Sequence, residues 1–581
     1  TDANIDTSGQ RNLTISGELD AATLDISGNA DIDGVTNLDV VDIDGAVDMA
    51  STLQVDGALT TSSTLVVDGT INGVGIKYGI TNFVGSLLIS NDAGTGTLNA
   101  ASNNTGLGHE VFDDLTTGDG NVGVGYQSMA ANTTGGANTA VGLNALDEST
   151  TGSNNTAIGS YALSENTSAS SNTAVGHVSS YCTTTGCENT SMGLSSLRFN
   201  TTGDGNVAIG FNALCKNTTA DNNTAVGKNA LVANTTGADN TAVGRTSMES
   251  NTSGDNNVAV GLDALAANTT GEGNVAVGYA SLAANTTANN NTAVGIQSLD
   301  ANTEGHSNVA IGKGALSANT TADHNTAVGF NALAVNTTGY SNVAVGESAM
   351  ITNTEGHTNS AFGVAALEDN TTGDQITAIG ALALRCSTTS GINVAVGYKS
   401  LHKNTTAANN VAVGVCAMEA NTTGCQNTAM GFEALCSSTT SHYNTAVGFN
   451  ASHRITDSVE NVAFGYNAGK CLTTGDYNTS IGSSAGCQLS TGTNNSFLGH
   501  IAGRSGSPAT ITTESNNVVI GNNATADAYI KVDWTVTSDE RDKMNFEEIP
   551  HGLDFINQMK PVSFVFKKSR DENIPHGDLK Y

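Results

Sequence analysis

The sequence predicts an all-β chain, most of it an elongated parallel β-solenoid, a β-roll of 17-residue coils. Three observations predict it. The first is a period: Gly142 is followed by Gly159, Gly176, Gly193 and Gly210, each seventeen residues on. A spacing held that strictly over hundreds of residues is a property of architecture. The second is composition. With 5% aromatic and 13% charged residues, 67 Gly and only 4 Pro in 581 residues, the chain lacks the bulky apolar residues of a large three-dimensional core. It also lacks the Pro, Lys and Glu enrichment of disorder. The third is the unit itself, "N-T-A-V-G-x-x-A-L-x-x-N-T-T-G-x-x". It is too short for two packed helices and too rich in Val, Thr, Gly and Asn for one.

The strict repeat starts at Asn104. Its fifth position is Gly in all 24 units from Gly108 to Gly499. Its first is Asn from Asn104 to Asn495, except where Ile376 stands. Each coil is expected to hold a short strand "NTAVG", a turn, a second short strand around "AL" and a closing turn "NTTG". Strands alternate faces, so Val141 and its equivalents Ile158, Val175 and Ile209 are expected on the packing face. Ala140 and Gly142 then lie on the other face, where a neighbouring backbone comes close. Asn138, Asn155 and Asn172 are expected to stack as a ladder of side-chain amides from coil to coil. Gly142, Gly159 and Gly176 mark positions of positive φ or close approach. At about 4.8 Å per coil the array makes a rod of roughly 115 Å.

Five segments follow from this pass. Residues 1–80 carry looser punctuation, "ISG" at Gly17 and Gly28, "IDG" at Gly34 and Gly45, "VDG" at Gly57 and Gly69. The runs between them read as strands too short to bury a core within one chain, hence as an intertwined, trimeric β-stalk. Residues 81–103 connect, 104–503 are the solenoid, 504–537 a transition, and 538–581 a separate non-repetitive domain. The last is expected to be small and α+β, with Leu553, Ile556 and Met559 at helical spacing before a strand in "VSFVFK".

The formal charge of −33 disfavours nucleic acid and anionic membrane. No apolar run approaches the roughly 18 residues that span a bilayer, so neither nucleic-acid binding nor membrane insertion is expected. No cofactor is expected: "DIDGVTNLDVVDIDG" offers carboxylates to Ca²⁺ without a fixed ligand frame, and His177, His306, His324 and His357 fall into no zinc spacing. "GDGNVGVG" owes its glycines to the period, not to a dinucleotide loop. The nine cysteines all lie within the array. Cys182 and Cys187 flank the turn "TTTG" and are the pair placed for a disulfide, free thiols being the default in a reducing cytoplasm. "NTT" triplets such as that at Asn132 are formal N-glycosylation acceptors whose recurrence at turns favours a structural role.

Two resemblances extend this reading. The repeat "NTAVGxxAL" resembles the head repeats of trimeric autotransporter adhesins, which implies a parallel β-roll assembled as a homotrimer, although the unit here is longer. The C-terminal "SDERDK", "GLDFINQMKPVSF" and the aromatic-Lys pair after them resemble the start of the intramolecular chaperone domain of phage tail fibres and tailspikes, the endosialidase type. That domain helps three chains register and then cuts itself off. The resemblance implies Ser538 as nucleophile, Lys543 as the base that takes its proton, and cleavage of the Ser538–Asp539 bond. A Lys serves so only where burial lowers its pKa. The domain usually continues past the equivalent of Tyr581, so 538–581 is expected to be its beginning.

The function expected is a homotrimeric virion fibre, extracellular and assembled in the host cytoplasm. Its partners would be other tail or baseplate proteins and a host cell-surface receptor, a glycan being one candidate. Contact with that receptor is expected on the edge formed by the variable seventh, tenth and sixteenth unit positions. A bacterial trimeric surface adhesin is the alternative. An ice-binding solenoid would need its Thr rows on a strand, and a glycan-processing one would need acids gathered in a groove.

Overall fold

A computed structural model describes residues Thr70–Ile71, Val74–Tyr78, Leu87–Ser90, 100–527, Phe564–Lys567 and Pro575–Lys580. No helix occurs among them. β1 (Thr70–Ile71), β2 (Val74–Tyr78) and β3 (Leu87–Ser90) pair antiparallel in turn. β3 then pairs parallel with β4 (Thr105–Leu107). From there, 25 strands of three residues each run in sequence order to β28 (Val518–Ile520), every one parallel to the next. The register is the period itself. In β6 (Thr139–Val141) and β7 (Thr156–Ile158), Thr139 faces Thr156, Ala140 faces Ala157 and Val141 faces Ile158. The described residues thus form the parallel β-solenoid that the seventeen-residue spacing implies.

Face alternation holds, but the faces are reversed. Ala140 is 0% exposed and Val141 37%. The reason is room. The coil interior is narrow, and its width is taken by the ninth-position Leu, so only a methyl fits beneath the strand. Leu146, Leu163, Leu214 and Leu231 are fully buried in that row. The larger strand residue is left outside.

The "AL" segment is not a second strand. Asn144 and Leu146 both take positive φ, 50° and 57°, so the chain winds through turns there. Its backbone still reaches the next coil, with Leu146 N–H donating to the Ala162 carbonyl at 3.0 Å and Glu148 N–H to the Ser164 carbonyl at 3.1 Å. A left-handed conformation costs a non-Gly residue about 1–2 kcal/mol. Full burial of a Leu side chain is worth about 2 kcal/mol and offsets it.

The fifth-position glycines are a different case. Gly142 has φ 146°, and a Cβ on it would meet the Gly159 carbonyl carbon at 2.6 Å. The same geometry recurs at Gly159 and Gly176, each against the glycine one coil on. No L side chain fits either requirement.

At the ends the interior is filled differently and the volume is compensated. Near the start, Gly106 and Gly123 replace the strand Ala because Val111 and Phe112 occupy the space; a Cβ on Gly123 would meet Val111 Cγ1 at 2.8 Å. Near the other end the ninth-position Leu gives way to Gly469, Gly486 and Gly503, while Leu472, Leu489 and Ile511 take the twelfth position. Phe497, 1% exposed, fills the space beside Gly486 and Gly503.

Candidate functional site

Two files of buried Asn side chains run through the coils. In the first-position file, Asn138 Oδ1 accepts from the Asn155 N–H at 2.9 Å, and Asn138 Nδ2 donates to the Gly152 carbonyl at 2.9 Å. Asn155 does the same toward Asn172 N–H (3.0 Å) and the Ala169 carbonyl (2.9 Å). Asn172 continues it to Asn189 N–H and the Gly186 carbonyl. One side chain therefore closes its own coil and ties it to the next. The expected ladder of Asn138, Asn155 and Asn172 is there.

The second file is the Asn of "NTT", a row not singled out as a ladder in the sequence. Asn217 Nδ2 donates to Asn200 Oδ1 at 2.9 Å and to the Ala220 carbonyl at 2.9 Å. The row continues through Asn234, Asn251 and Asn268, with each Nδ2 on the preceding Oδ1. Asn132 is fully buried as well, with Nδ2 donating to the Gly135 carbonyl at 3.0 Å, so these triplets serve the interior. The signal was in the sequence: the Asn of "NTT" repeats as strictly as a core residue does. Where this row is interrupted, acceptors are left over. Asn166 Oδ1, next to Thr183, and Asn421 Oδ1, next to Ser438, are buried without a hydrogen-bond partner, as is Thr183 Oγ1.

The threonine after each such Asn lies in the turn, not on a strand, and its hydroxyl is committed. Thr133 Oγ1 donates to the Thr150 carbonyl at 2.9 Å, and Thr150 Oγ1 to that of Thr167 at 3.0 Å. The hydroxyls of this turn row are taken by the backbone; the strand-borne threonines are a separate second-position row, with Thr139 beside Thr156 and Thr156 beside Thr173.

Acids at the sixteenth position are likewise used by the backbone. Asp204 Oδ1 accepts from Cys187 N–H, Asp323 Oδ1 from His306 N–H and Asp374 Oδ1 from His357 N–H, at 2.6–2.7 Å. His357 stacks on Tyr340 with centroids 4.7 Å apart and lies 3.3 Å from Asp374 Oδ2. His306 Nδ1 accepts from Asn289 N–H at 2.9 Å. This sixteenth-position row is one of the three varied rows, with the seventh and tenth, on which receptor contact was expected. Among the described residues no group of three or more His, Cys, Asp or Glu is arranged to hold a metal ion.

Cys182 and Cys187 stand as free thiols. Burial, with the Glu165 carboxylate next in importance, pushes the Cys182 thiol up to about 11. Cys187 lies on the sixteenth-position edge, where its sulfur donates to the Thr185 carbonyl at 3.4 Å. Burial, seconded by Glu419, likewise raises Cys416 and Cys436 to about 11. Such thiols stay protonated and unreactive near neutrality.

The fourth-position row makes an open apolar surface, and the sixth position adds aromatic rings to it in some coils. Phe432 and Phe449 stack at 5.1 Å and 9°, and Phe449 and Tyr466 at 5.5 Å and 18°, one ring per coil. All three are exposed.

Ser538 and Lys543 lie outside the described residues, as do most of the stalk, its Asp-rich run and the helical spacing at Leu553–Met559. The strand expected in "VSFVFK" is β29 (Phe564–Lys567), antiparallel to β30 (Pro575–Lys580) with Phe564 opposite Lys580 and Val565 opposite Leu579. Residues 538–577 match the family described as Chaperone of endosialidase. No curated protein matches the chain. A long β-solenoid carrying a chaperone-of-endosialidase segment fits a protein of tailspike or fibre type.

Proposed function

We propose that this chain is a structural and receptor-binding fibre of a virion, a tail fibre or tailspike, working as a homotrimer. The carrying observation is the unbroken parallel ladder from β4 to β28 on a chain whose residues 538–577 match the family described as Chaperone of endosialidase. A rod of this kind suits a shaft because each coil is reinforced by its neighbours through many small contacts. Its partners are other tail or baseplate proteins and a host surface receptor, met along the varied seventh, tenth and sixteenth positions. It works outside the host cell after assembly in the host cytoplasm. No cofactor enters this role.

The C-terminal segment has a single chemical task in this reading. Lys543 takes the Ser538 hydroxyl proton, the Ser538 oxygen attacks the carbonyl carbon of the Ser538–Asp539 bond, the proton passes to the departing Asp539 amine, and water hydrolyses the resulting ester to leave a Ser538 carboxylate, once per chain. Intact-mass measurement of the full chain beside Ser538→Ala tests it. The wild type should lose the segment that begins at Asp539, and the variant should keep it. Equal uncut masses would remove self-cleavage and leave the fibre reading to be judged on assembly.

A bacterial trimeric surface adhesin is the second reading, favoured by the "NTAVG" repeat. Antibody labelling of intact virions against labelling of bacterial envelopes separates the two.

A further inference from the structure

The strand in each coil turns its second and fourth residues outward. The fourth is Leu, Val, Ile, Met or Phe in every unit from Leu107 to Leu498, without one polar exception, and Ile520 extends the row. These side chains are nonetheless open: Met192 is 48% exposed, Met430 44% and Phe464 56%. Just beyond the recurring glycine, the sixth position widens the strip in some coils, as at Phe211, Tyr279 and Phe449, and borders it with charge in others, as at Lys228, Arg245, Lys313 and Glu347. A solvated strand face carries polar residues, and a contiguous apolar patch above a few hundred Å² marks a contact surface.

We infer that the fourth-position row is the surface along which copies of this chain pack, in parallel, in the homotrimer; the inference rests on the trimeric reading above. The length of the row argues for that occupant. A receptor covers a local footprint, whereas this row spans every coil and is matched along its whole length only by an object of equal length. Pitch argues the same way, since another copy meets it rung for rung at the same spacing. So does charge: copies at −33 repel across their polar edges, and the second and fourth rows carry no charged residue in any coil. At roughly 50 Å² open per coil, the fourth row offers on the order of 1,000 Å² per chain, shared between two neighbours in a trimer, and the apolar members of the sixth row add to it toward the ≈ 800 Å² per partner of a stable interface.

The same regularity limits what the surface does. Sliding one copy by a rung sets Val against Val again, so the row supplies adhesion and leaves the relative register of the chains degenerate. Register must therefore be imposed from outside the array, a task that the resemblance of the C-terminal segment to an intramolecular chaperone domain implies for that segment.

Native methionines report on this face without mutation. The full chain is sized by light scattering and then treated briefly with peroxide, and Met oxidation is followed by peptide mass. The expected result is a trimer in which Met192 and Met430 oxidise as slowly as Met248 and Met418, which each coil buries by itself. A trimer with Met192 and Met430 oxidised tenfold faster than those two overturns the face and leaves trimerisation standing. A monomer overturns the trimeric reading and the inference with it. In a second arm, the triple variant Val260→Asp, Val277→Asp, Val294→Asp should keep the β signature in circular dichroism and fall to monomer mass. Thr236→Asp with Thr270→Asp, on an exposed turn, should stay trimeric. A folded triple variant that remains a trimer overturns the inference.

Discussion

The middle coils and those from Ile455 to Ile511 make the same backbone with opposite interiors. In the middle, Leu fills the ninth position and buried Asn the twelfth, as in Leu265 and Asn268. Later, the ninth is Gly469 and Gly486, and Leu472 and Leu489 occupy the twelfth. Volume has moved across the coil while strand register, the first-position Asn file and the fifth-position Gly stay as they were. The comparison separates what the fold requires from what it accepts. It requires the backbone approach at Gly, and it keeps the closing amide of the first Asn in every coil but one, where buried Ile376 takes its place without a change of strand register. It accepts either a hydrogen-bonded amide row or an apolar row, provided neighbouring coils agree.

The strongest challenge to that division strikes the shared element. Gly295→Ala and Gly482→Ala sit in the two regions, at φ 141° and 129°, with the next glycine's carbonyl carbon 2.6 and 2.7 Å from the added Cβ. Each should cost about 4 kcal/mol or more, a loss typical of backbone strain joined to a steric clash. Urea midpoints should fall alike for both, and a much smaller loss in either region would show that the glycine row is not common ground. Next comes a mismatch. Leu472→Asn places an amide between Ile455 and Leu489, which offer it no side-chain partner, and should cost about 3 kcal/mol by the same measurement. Asn268→Ala strands Asn251 Oδ1 and should cost about 2 kcal/mol. Thr183→Asn runs the other way. It supplies a donor for Asn166 Oδ1 and an acceptor for Asn200 Nδ2, and should raise stability by about 1 kcal/mol. The smallest probe leaves both interiors intact. With Cys182, Cys416 and Cys436 at about 11, the thiolate at pH 8 is scarcer by roughly 100-fold than at an ordinary thiol near 8.5. Iodoacetamide labelling should be correspondingly slow and rise about tenfold per pH unit below 11.

The period made the solenoid legible because any parallel stack must repeat its backbone positions, and the 24 glycines report that repeat directly. The first Asn file was legible for the same reason. Which strand face turns inward was not, because alternation fixes that Ala140 and Val141 oppose each other without saying which side is narrow. The turn at Leu146 was hidden by its own residue type, since a Leu at positive φ contradicts local preference and is held there by burial. The exchange between ninth and twelfth positions was visible as paired changes, Gly469 with Leu472 and Gly486 with Leu489, but its meaning needed the coil in three dimensions. Ser538 and Lys543 were read from motif resemblance alone, which the family match over 538–577 supports at the level of the segment.

Between Gly503 and Ile511 one coil carries seven residues where its neighbours carry two, so that Gly521 follows Gly499 by 22 residues. Ile511 N–H nevertheless donates to the Gly503 carbonyl at 3.0 Å, as Asn268 N–H does to Leu265 at 3.3 Å. Asn517 N–H still finds Asn495 Oδ1 at 3.0 Å. A staple at the base of the bulge thus isolates whatever lies beyond it from the stack. A fibre built this way can change its length by whole rungs and its decoration by grafting at that corner, and neither change disturbs the other.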